Sequence, residues 1–353
     1  MNRTLLAQVG EMARRSITQT LRQPALIIPP TLAFAAPEEK EFEFLGVRDP
    51  QLGMQLAVAE HYGLFREEGI NLTFRWQPSG GDVLTVMGSG FPIGVGSQFG
   101  QIALAAQNMP VKILTGLADI SDTQGIVLGP KTVITTPKDL EGKRVAFTQG
   151  NNSPLMFVKL AQRFGFDHTK IQMINMNPSE GVIAASKGDV DILLAWQPFL
   201  HRLVTMGGTL FATGGATYFT GSKVVLPETE KLLYSHSVIL ASQSWIDSKP
   251  NTLAALLRAL IKADARFKAD RAAAMPGIQR VLRVEPEPLK VMTEANRYGV
   301  LIDQPLVNSY RFTNDWAVGI KRIATPQKPE DGITPVILDQ VDRSHVTWRA
   351  GAA

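Results

Sequence analysis

Lys143-Arg-Val-Ala-Phe-Thr-Gln-Gly-Asn-Asn-Ser-Pro154 is the stretch of sequence that decides the fold class. Residues 144–147 form a short apolar run bounded by polar residues, which predicts a buried strand. The Gly-Asn-Asn-Ser segment predicts a turn, since Gly and Asn tolerate positive φ and Asn or Ser can cap a helix. Pro154 suits a first helical turn, and apolar residues then recur at helical spacing until Gly165. The stretch therefore predicts a strand, a polar turn and a helix in direct succession.

This turn has a functional and a purely structural interpretation. The N-terminus of a helix presents free backbone N–H groups and the positive end of the helix dipole, which together hold small anions or carboxylates. Most turns between a strand and a helix bind nothing, so an ordinary connection is the competing interpretation. The recurrence of small polar turns elsewhere in the chain favours binding.

Strands alternate with helices along most of the chain, which predicts parallel, doubly wound sheets. The predicted strands form two groups: 41–47, 71–76, 91–95 and 111–117, then 125–128, 144–147, 171–176, 191–196 and 210–213. A strand at 237–241 is predicted to return to the first group. From Lys249 the chain is predicted to be mostly helical, with one helix over 289–298. The tail beyond Pro326 has few apolar anchors and is expected to be ordered only in part.

The predicted architecture is α/β, with two doubly wound α/β lobes and a ligand cleft between them. Lobe 1 is discontinuous and comprises 37–122 and 237–353, whereas lobe 2 comprises 123–236. Ligands of open parallel sheets bind beyond the carboxyl ends of the strands. We therefore expect the turns after the strands to line the cleft: 49–51, 79–81, 96–98, 121–123, 150–153 and 196–197. Ser, Gly, Gln, Asn and Thr dominate these turns and would hold a charged head group reversibly.

Composition narrows the function classes. The 353 residues are 44% hydrophobic and 19% charged, as is typical of globular proteins, and no apolar stretch has the length of a membrane helix. The net charge is +4, of which the first 36 residues hold +3. The sequence has no basic stripe with interleaved aromatic residues, which is the pattern that would indicate nucleic-acid binding. The chain has no cysteine, which excludes disulfides, thiolate metal sites and thiol nucleophiles.

Residues 1–36 have the pattern of an export leader. Arg14-Arg15 precede an apolar segment at 25–36, and a polar, acidic sequence begins at Pro37. A positive region, an apolar region and small residues before a polar start are typical of a secretory leader. We predict cleavage near Ala36 and a periplasmic location. The paired arginines hint at twin-arginine export, Pro29-Pro30 interrupt the apolar core, and an amphipathic arm is the alternative interpretation.

Five motifs occur in one order between about Phe44 and Ser244, over half of the chain. They are Gly53-Met-Gln-Leu-Ala-Val-Ala-Glu-His-Tyr-Gly-Leu-Phe65, Pro78-Ser79-Gly80, Gly94-Val-Gly-Ser97, Thr136-Pro-Lys-Asp-Leu-Glu-Gly-Lys-Arg-Val-Ala146, and Gly188-Asp-Val-Asp191 with Trp196-Gln-Pro198. Together they resemble the aliphatic-sulfonate, taurine and nitrate substrate-binding proteins of bacterial ABC transporters. The resemblance implies a type II periplasmic-binding fold that closes on a small-molecule solute and delivers it to an ABC permease at the inner membrane. It implies a monomeric receptor without a cofactor or a metal, not an enzyme.

By position in these motifs, the resemblance implies a set of ligand-contacting residues: Gln51, Leu52, Ser79, Gly80, Ser97, Gln98, Asn151, Asn152, Ser153, Trp196 and Gln197. Arg48 and Thr123 are further candidates because their loops face the proposed cleft, and Tyr218 is one because it would extend an aromatic wall. Gln197 stands where the family often carries a negatively charged residue, which argues against an amine such as that of taurine. We therefore expect a small anionic or polar organic solute, a sulfonate foremost.

Two other function classes remain open. The same superfamily includes a thiamine-pyrimidine synthase and a desulfinase, so a small-molecule lyase or hydrolase on this fold is the main alternative. The absence of cysteine argues against both, because the synthase needs a cysteine-rich motif and the desulfinase a cysteine nucleophile. The five histidines lack the spacing of a metal site, and no serine lies in a nucleophile-elbow motif. A sensory input module would require a partner that the sequence does not reveal.

Overall fold

The computed structural model describes residues 35–149, 152–321 and 323–349. Its strands are β1 (Glu41–Val47), β2 (Asn71–Gln77), β3 (Ile93–Ser97), β4 (Val111–Asp119), β5 (Gln124–Leu128), β6 (Arg144–Phe147), β7 (Gln172–Asn175), β8 (Ile192–Trp196), β9 (Thr209–Thr213), β10 (Ala216–Thr217), β11 (Val224–Val225), β12 (His236–Ser242) and β13 (Arg297–Leu301). Its α-helices are α1 (Pro50–Tyr62), α2 (Leu64–Glu67), α3 (Gly80–Gly88), α4 (Gln98–Ala105), α5 (Leu155–Phe164), α6 (Pro178–Lys187), α7 (Phe199–Thr205), α8 (Gln243–Ser248), α9 (Pro250–Ala269), α10 (Arg271–Leu282), α11 (Pro286–Ala295), α12 (Gln304–Gly319), α13 (Pro329–Gly332) and α14 (Val336–Val341).

The strands form two sheets, which confirms the predicted α/β fold class. The strand order is β13-β4-β12-β3-β1-β2 in the first sheet and β11-β10-β9-β5-β8-β6-β7 in the second. The first sheet draws its strands from 41–119 and 236–301 and the second from 124–225, whereas the bounds of the lobes stay a prediction.

The prediction that the sheets are parallel is correct only in part. β1 runs parallel to β2 and β3, and β6 runs parallel to β7 and β8. β12 is antiparallel to β3 and β4, and β5 is antiparallel to β8 and β9. β5 and β12 are the strands by which the chain enters one sheet from the other. Because each of them arrives from the other sheet, no strand–helix–strand crossover within one sheet fixes its direction as parallel.

Residues 143–154 fold as predicted wherever they are described. Val145 and Ala146 of β6 are buried, α5 begins directly after Pro154, and Gly165 ends it in the left-handed region at φ 73°. The backbone carbonyl oxygens of Asn152 and Ser153 accept the N–H groups of Leu155 and Met156, the first two residues of α5, at 3.1 and 2.9 Å. The first turn of α5 therefore has part of its hydrogen-bonding capacity occupied by the chain itself.

Helices cover both faces of the second sheet, as a doubly wound lobe requires. Alternate residues of a strand face opposite sides of its sheet. Ile126 and Leu128 of β5 accordingly pack with Met156 of α5, whereas Val127 packs with Val182 of α6 on the other face. Both clusters consist of residues that are fully or almost fully buried.

One prediction for the C-terminal region is wrong, and so is the reason given for a second, that the tail has few apolar anchors. The helix predicted over 289–298 ends at Ala295, and the next residues form β13, because pairing with the edge of β4 outweighs the helical pattern there. The tail beyond Pro326 is described up to residue 349 and is anchored to the first lobe. Its apolar side chains Ile333, Leu338 and Trp348 are buried. The predicted leader falls almost wholly on residues 1–34, which lie outside the described residues.

The chain passes between the sheets at 120–123 and again at 226–235, and an ion cluster joins the two passages. Asp119, the last residue of β4, accepts from Lys231 Nζ at 2.9 Å and also pairs with Arg297. Ser121 Oγ donates to Asp119 Oδ1 at 2.5 Å and accepts the backbone N–H of Ser235 at 3.0 Å. Burial would raise the pKa of Asp119, but the charges of His236 and Lys231 lower it well below its usual range.

Candidate functional site

Five helices begin at the carboxyl ends of strands, in the loops predicted to line the cleft. They are α1 after β1, α3 after β2, α4 after β3, α5 after β6 and α7 after β8. Asp49 caps α1 by accepting the Gln51 N–H at 2.8 Å, and Ser79 caps α3 by accepting the Asp82 N–H at 3.2 Å. Five positive helix ends are therefore located in the predicted site region.

Gln51 connects the loop after β1 to two loops of the second lobe. Its Nε2 donates to the carbonyl oxygen of Gln197 at 3.1 Å and to Asp49 Oδ2 at 3.1 Å. Its Oε1 accepts from the hydroxyl of Thr123, and the Gln197 N–H donates to the Thr123 carbonyl at 2.8 Å. Gln51, Thr123 and Gln197, all predicted for the site, thus lie together. Protein groups occupy both ends of the Gln51 amide, so its role in this arrangement is to hold the loops together.

Gln98 makes a second connection between the lobes. Its Nε2 donates to the Tyr234 carbonyl at 3.1 Å and to Thr313 Oγ1 at 3.0 Å, and its Oε1 accepts the His236 N–H at 2.9 Å. The same two acceptors lie 3.5 Å from Nδ2 of Asn152, on the turn before α5. Gln98 and Asn152 are both buried. The structure thus brings together a predicted residue of each lobe.

Ser97 lies beside this connection and is engaged less than the glutamines. It precedes α4, yet its half-buried hydroxyl does not cap the helix. Within the described residues no hydrogen bond of this hydroxyl is found. The first turn of α4 therefore combines a serine hydroxyl with backbone N–H groups that no side chain caps, which suits an anion.

The loops after β1 and β2 contact each other. A Cβ added at Gly80 would lie 3.6 Å from Leu52 Cδ1, so these two predicted residues are neighbours. The hydroxyl of Ser79 donates to Asp82 Oδ2 at 2.6 Å while it caps α3. Ser79 is therefore committed to the helix end, and Gly80 leaves room beside Leu52.

The remaining predicted residues occupy varied positions. Trp196 is half-buried and meets Phe199 edge-on, with 5.9 Å between ring centroids. Oε1 of Gln197 accepts the His201 N–H at 3.1 Å. Ser153 is buried, and Asn151 lies outside the described residues.

Arg48 and Tyr218, the outlying candidates, lie beside other groups. The guanidinium of Arg48 stacks on Trp76, 4.9 Å from the ring centroid. Tyr218 is half-buried, and burial together with the Asp122 carboxylate raises the pKa of its phenol. Neither contact joins these residues to the Gln51 or Gln98 connections.

Sequence reasoning missed Thr313, the Tyr234 carbonyl and Met292. Thr313 is 215 positions from Gln98 along the chain and sits in the middle of an amphipathic helix, where threonine carries no functional signal. The sulfur atom of Met292 lies 3.8 Å from Nε2 of Gln51. Met292 lies on α11 and Thr313 on α12, whereas Tyr234 lies in the passage before β12, so the three groups come from distant parts of the chain.

Asp49 is a titratable group within the site. Burial raises its pKa to about 6, against the hydrogen bonds from the backbone and side chain of Gln51. Its folded-state pKa thus exceeds the usual value of 3.8, so the folded chain holds this proton more tightly than the unfolded chain. The contribution of the protonated Asp49 carboxyl to the free energy of unfolding is complete below pH 3.8. It is lost as the pH rises through about 6.

Asp49→Asn is therefore expected to stabilise the protein at pH 7.5 by about 2–3 kcal/mol and to change its stability little at pH 4. Asn caps a helix as well as Asp does, so the cap itself is retained. Urea unfolding of both proteins at the two pH values measures the difference. An equal effect at both pH values would show that Asp49 ionises normally.

Neither a metal cluster nor a membrane-spanning helix is found in the part of the chain that the structure describes. No three His, Asp or Glu side chains come together there in a way that would hold a metal ion. None of the described helices has both the length and the apolar character needed to cross a bilayer.

Comparison with known proteins finds a matching family model and similar curated proteins. The family model described as "NMT1/THI5 like" matches residues 53–274, well over half of the chain. The chain is 25% identical over 147 residues to the taurine-binding periplasmic protein of Escherichia coli (strain K12), a match that spans 41% of this chain and 45% of that protein. It is 23% identical over 243 residues to the "Putative aliphatic sulfonates-binding protein" of the same strain, which spans 68% of this chain and 72% of that protein.

The fold is also that of a solved sulfonate-binding protein. The alkanesulfonate-binding protein SsuA from Xanthomonas axonopodis pv. citri, bound to MOPS, superimposes with a TM-score of 0.67 at 16% identity, over 84% of this chain and 99% of that one. The desulfurization enzyme DSZB has a TM-score of 0.66 at 13% identity, over 87% and 100% of the two chains. At these identities the likeness concerns the fold alone, and the fold occurs in binding proteins and in an enzyme.

Proposed function

Since this chain belongs to the NMT1/THI5-like family, we propose that it is the solute-binding receptor of an ABC importer and that its solute is a small organic sulfonate. The solute would bind in the cleft between the two lobes, at the helix ends that follow β1, β2, β3 and β6. The relatives named taurine-binding and sulfonates-binding support this proposal. So does the lack of cysteine, which a cysteine-dependent reaction on this fold would need.

The arrangement around Ser97 carries the proposal. A sulfonate has three oxygens and one delocalised charge, so several neutral donors satisfy it without a counter-charge. The uncapped first turn of α4 and the hydroxyl of Ser97 provide such donors. Gln51 and Gln98 hold the lobes together around them. We assign these two glutamines to closure and the Ser97 turn to the head group.

Delivery completes the proposed function. Closure of two lobes on a solute shifts a population towards a form that a permease recognises, provided that the solute binds that form more tightly. We propose a periplasmic location with a leader cleaved near Ala36, because the named relative is periplasmic and residues 1–36 carry the leader pattern.

Calorimetric titration with butane-1-sulfonate tests the proposal. We expect saturable one-to-one binding, and we expect Ser97→Ala to weaken it about tenfold, since a hydrogen bond to a charged group contributes roughly 1.5–3 kcal/mol. The matched control is Ser89→Ala, because Ser89 is an exposed serine that only donates to its own helix, to Val86 at 2.7 Å.

The same experiment distinguishes a receptor from the main alternative, a small-molecule lyase or hydrolase. Recovery of the sulfonate unchanged after prolonged incubation is expected of a receptor. Conversion to a new product would replace the receptor with an enzyme, and no binding of any sulfonate in a panel of chain lengths would remove the proposed solute class.

A further inference from the structure

Three arginines form a cluster beside the loop after β1. Arg48 follows β1 directly, and Arg280 and Arg283 lie at the end of α10. Arg280 and Arg283 are exposed and Arg48 is half-buried. We call these three residues the arginine cluster. None of them was assigned to the head-group contacts above.

Arg48 is held in place by two contacts. Its guanidinium stacks on Trp76 at 4.9 Å, and its Nη1 donates to the Val281 carbonyl of α10 at 3.3 Å. These contacts fasten the end of α10 to the carboxyl ends of β1 and β2. The cluster is therefore attached to the edge of the sheet at which the proposed site lies.

Arg283 occupies an unusual backbone conformation. It ends α10 in the left-handed region at φ 54°, where its N–H donates to Gln279 at 2.8 Å. Glycine or asparagine adopts this conformation at lower cost. An arginine in this place keeps a positive charge at the end of the helix, where it favourably meets the negative end of the helix dipole.

The cluster is poorly neutralised. Among the described residues no ion pair includes Arg48, Arg280 or Arg283, whereas Arg144, Arg258 and Arg297 each pair with a carboxylate. Nη1 of Arg48 lies 3.3 Å from the carbonyl of Val281, two residues before Arg283, and burial and then the charge of Arg283 lower the pKa of Arg48. A surface groove of about 410 Å³ runs along the end of α10 and is lined by Pro276, Gln279, Arg280, Arg283, Val284 and Glu285. Glu285 is the carboxylate of this lining.

The cluster adjoins the proposed site through α1. Asp49, the neighbour of Arg48, caps the helix that carries Gln51, and a Cβ added at Gly53 would lie 3.2 Å from Leu282. The Pro78-Ser79-Gly80 turn begins two residues after Trp76. The arginine cluster thus lies outside the head-group contacts and beside the loops after β1 and β2, which belong to the proposed site.

From this placement we propose that the arginine cluster is an electrostatic capture site, which draws an anionic solute to the mouth of the cleft and accelerates its binding. This inference rests on the proposed function, because it concerns the same solute. The field of surface charges is screened over about 8 Å at physiological ionic strength, so the charges of the cluster act on a solute only when it is already near the cleft. Charges placed in this way change the association rate and its salt dependence more than they change the dissociation rate.

The double variant Arg280→Gln/Arg283→Asn tests the inference. Asn tolerates the left-handed conformation at 283, so the end of α10 is retained, and thermal melting checks the fold. Stopped-flow tryptophan fluorescence with butane-1-sulfonate at low and high salt gives both rate constants. We expect an association rate constant about 3–10 times lower at low salt, a weaker salt dependence and an unchanged dissociation rate constant. The charge-preserving Arg283→Lys should bind at the wild-type rate.

Lys138→Gln/Arg343→Gln is the matched control, because it removes two exposed positive charges elsewhere on the molecule. Equal slowing by the control would overturn the inference, as would an unchanged association rate in the cluster variant. A change confined to the dissociation rate would also overturn it, since the arginines would then contact the bound solute. Wild-type protein that binds no sulfonate at all would instead overturn the proposed function, and the inference with it.

Discussion

Asp119→Asn is expected to lower the free energy of unfolding by about 3 kcal/mol, because it removes one partner of a buried ion pair. Lys231 is only 5% exposed and lies 2.9 Å from the Asp119 carboxylate. The variant leaves this buried ammonium with Glu228, its more exposed partner at 2.9 Å, and removes the acceptor that Arg297 shares. Urea unfolding at pH 7.5 measures the change.

The pH dependence of the same comparison provides an independent check. The pKa of Asp119 in the folded state lies well below 3.8, its value in the unfolded chain. The carboxylate therefore contributes its full stability above pH 3.8, and this contribution is lost as the pH falls further towards the folded-state pKa. The difference between wild type and Asp119→Asn should shrink accordingly below about pH 4.

Asp315→Asn is the control, since Asp315 is an exposed carboxylate on α12; its effect should stay within about 0.5 kcal/mol. Adding Lys231→Met to Asp119→Asn should restore part of the lost stability, because the pair is then removed together. A loss below about 1 kcal/mol for Asp119→Asn would contradict the account of the ion cluster.

Gln98→Leu is expected to cost about 3 kcal/mol of stability and to reduce sulfonate affinity by more than tenfold. Leucine removes three hydrogen bonds. The His236 N–H loses its partner, and the Tyr234 carbonyl and the Thr313 hydroxyl keep only Nδ2 of Asn152, at 3.5 Å. A buried group that loses its partner costs roughly 1–3 kcal/mol. Affinity falls as well, since these groups connect the lobes next to the Ser97 turn.

Gln107→Leu is the control for a glutamine-to-leucine change away from the lobe connection. Gln107 is exposed just after α4, and its side chain donates only to the Ala103 carbonyl, at 3.2 Å. Unfolding and calorimetric titration of both variants give the two quantities. If Gln98→Leu kept wild-type affinity while losing stability, Gln98 would support the fold without contributing to closure.

The sequence predicted the fold class because the signals for it are local. Alternating strands and helices, and Gly165 at the end of α5, follow from periodicity and backbone preference. β13 escaped prediction because its partner β4 lies about 180 positions earlier, with Arg297 opposite Asp119. Strand formation at such a place depends on a sheet edge that local pattern does not reveal. The antiparallel entry of β5 and β12 was missed for a similar reason, since the direction of a strand depends on which sheet it joins.

The candidate site was predicted to the level of its loops but not of its contacts. The carboxyl ends of strands identify Gln51, Ser97, Gln98 and Asn152 by topology. Which of these side chains is engaged depends on groups such as Thr313, which reaches Gln98 at 3.0 Å from a distant helix. The sequence therefore predicted Gln98 as a ligand contact, whereas its three hydrogen bonds indicate a residue that connects the lobes.

A crystal structure of the protein with butane-1-sulfonate tests the central claim most directly. The account predicts the sulfonate oxygens in the interlobe cleft, within hydrogen-bonding distance of Ser97 Oγ and of the first backbone N–H groups of α4, with the alkyl chain directed towards Leu52 and Trp196. A sulfonate bound elsewhere, or a cleft in which the Ser97 turn contacts only protein, would contradict it.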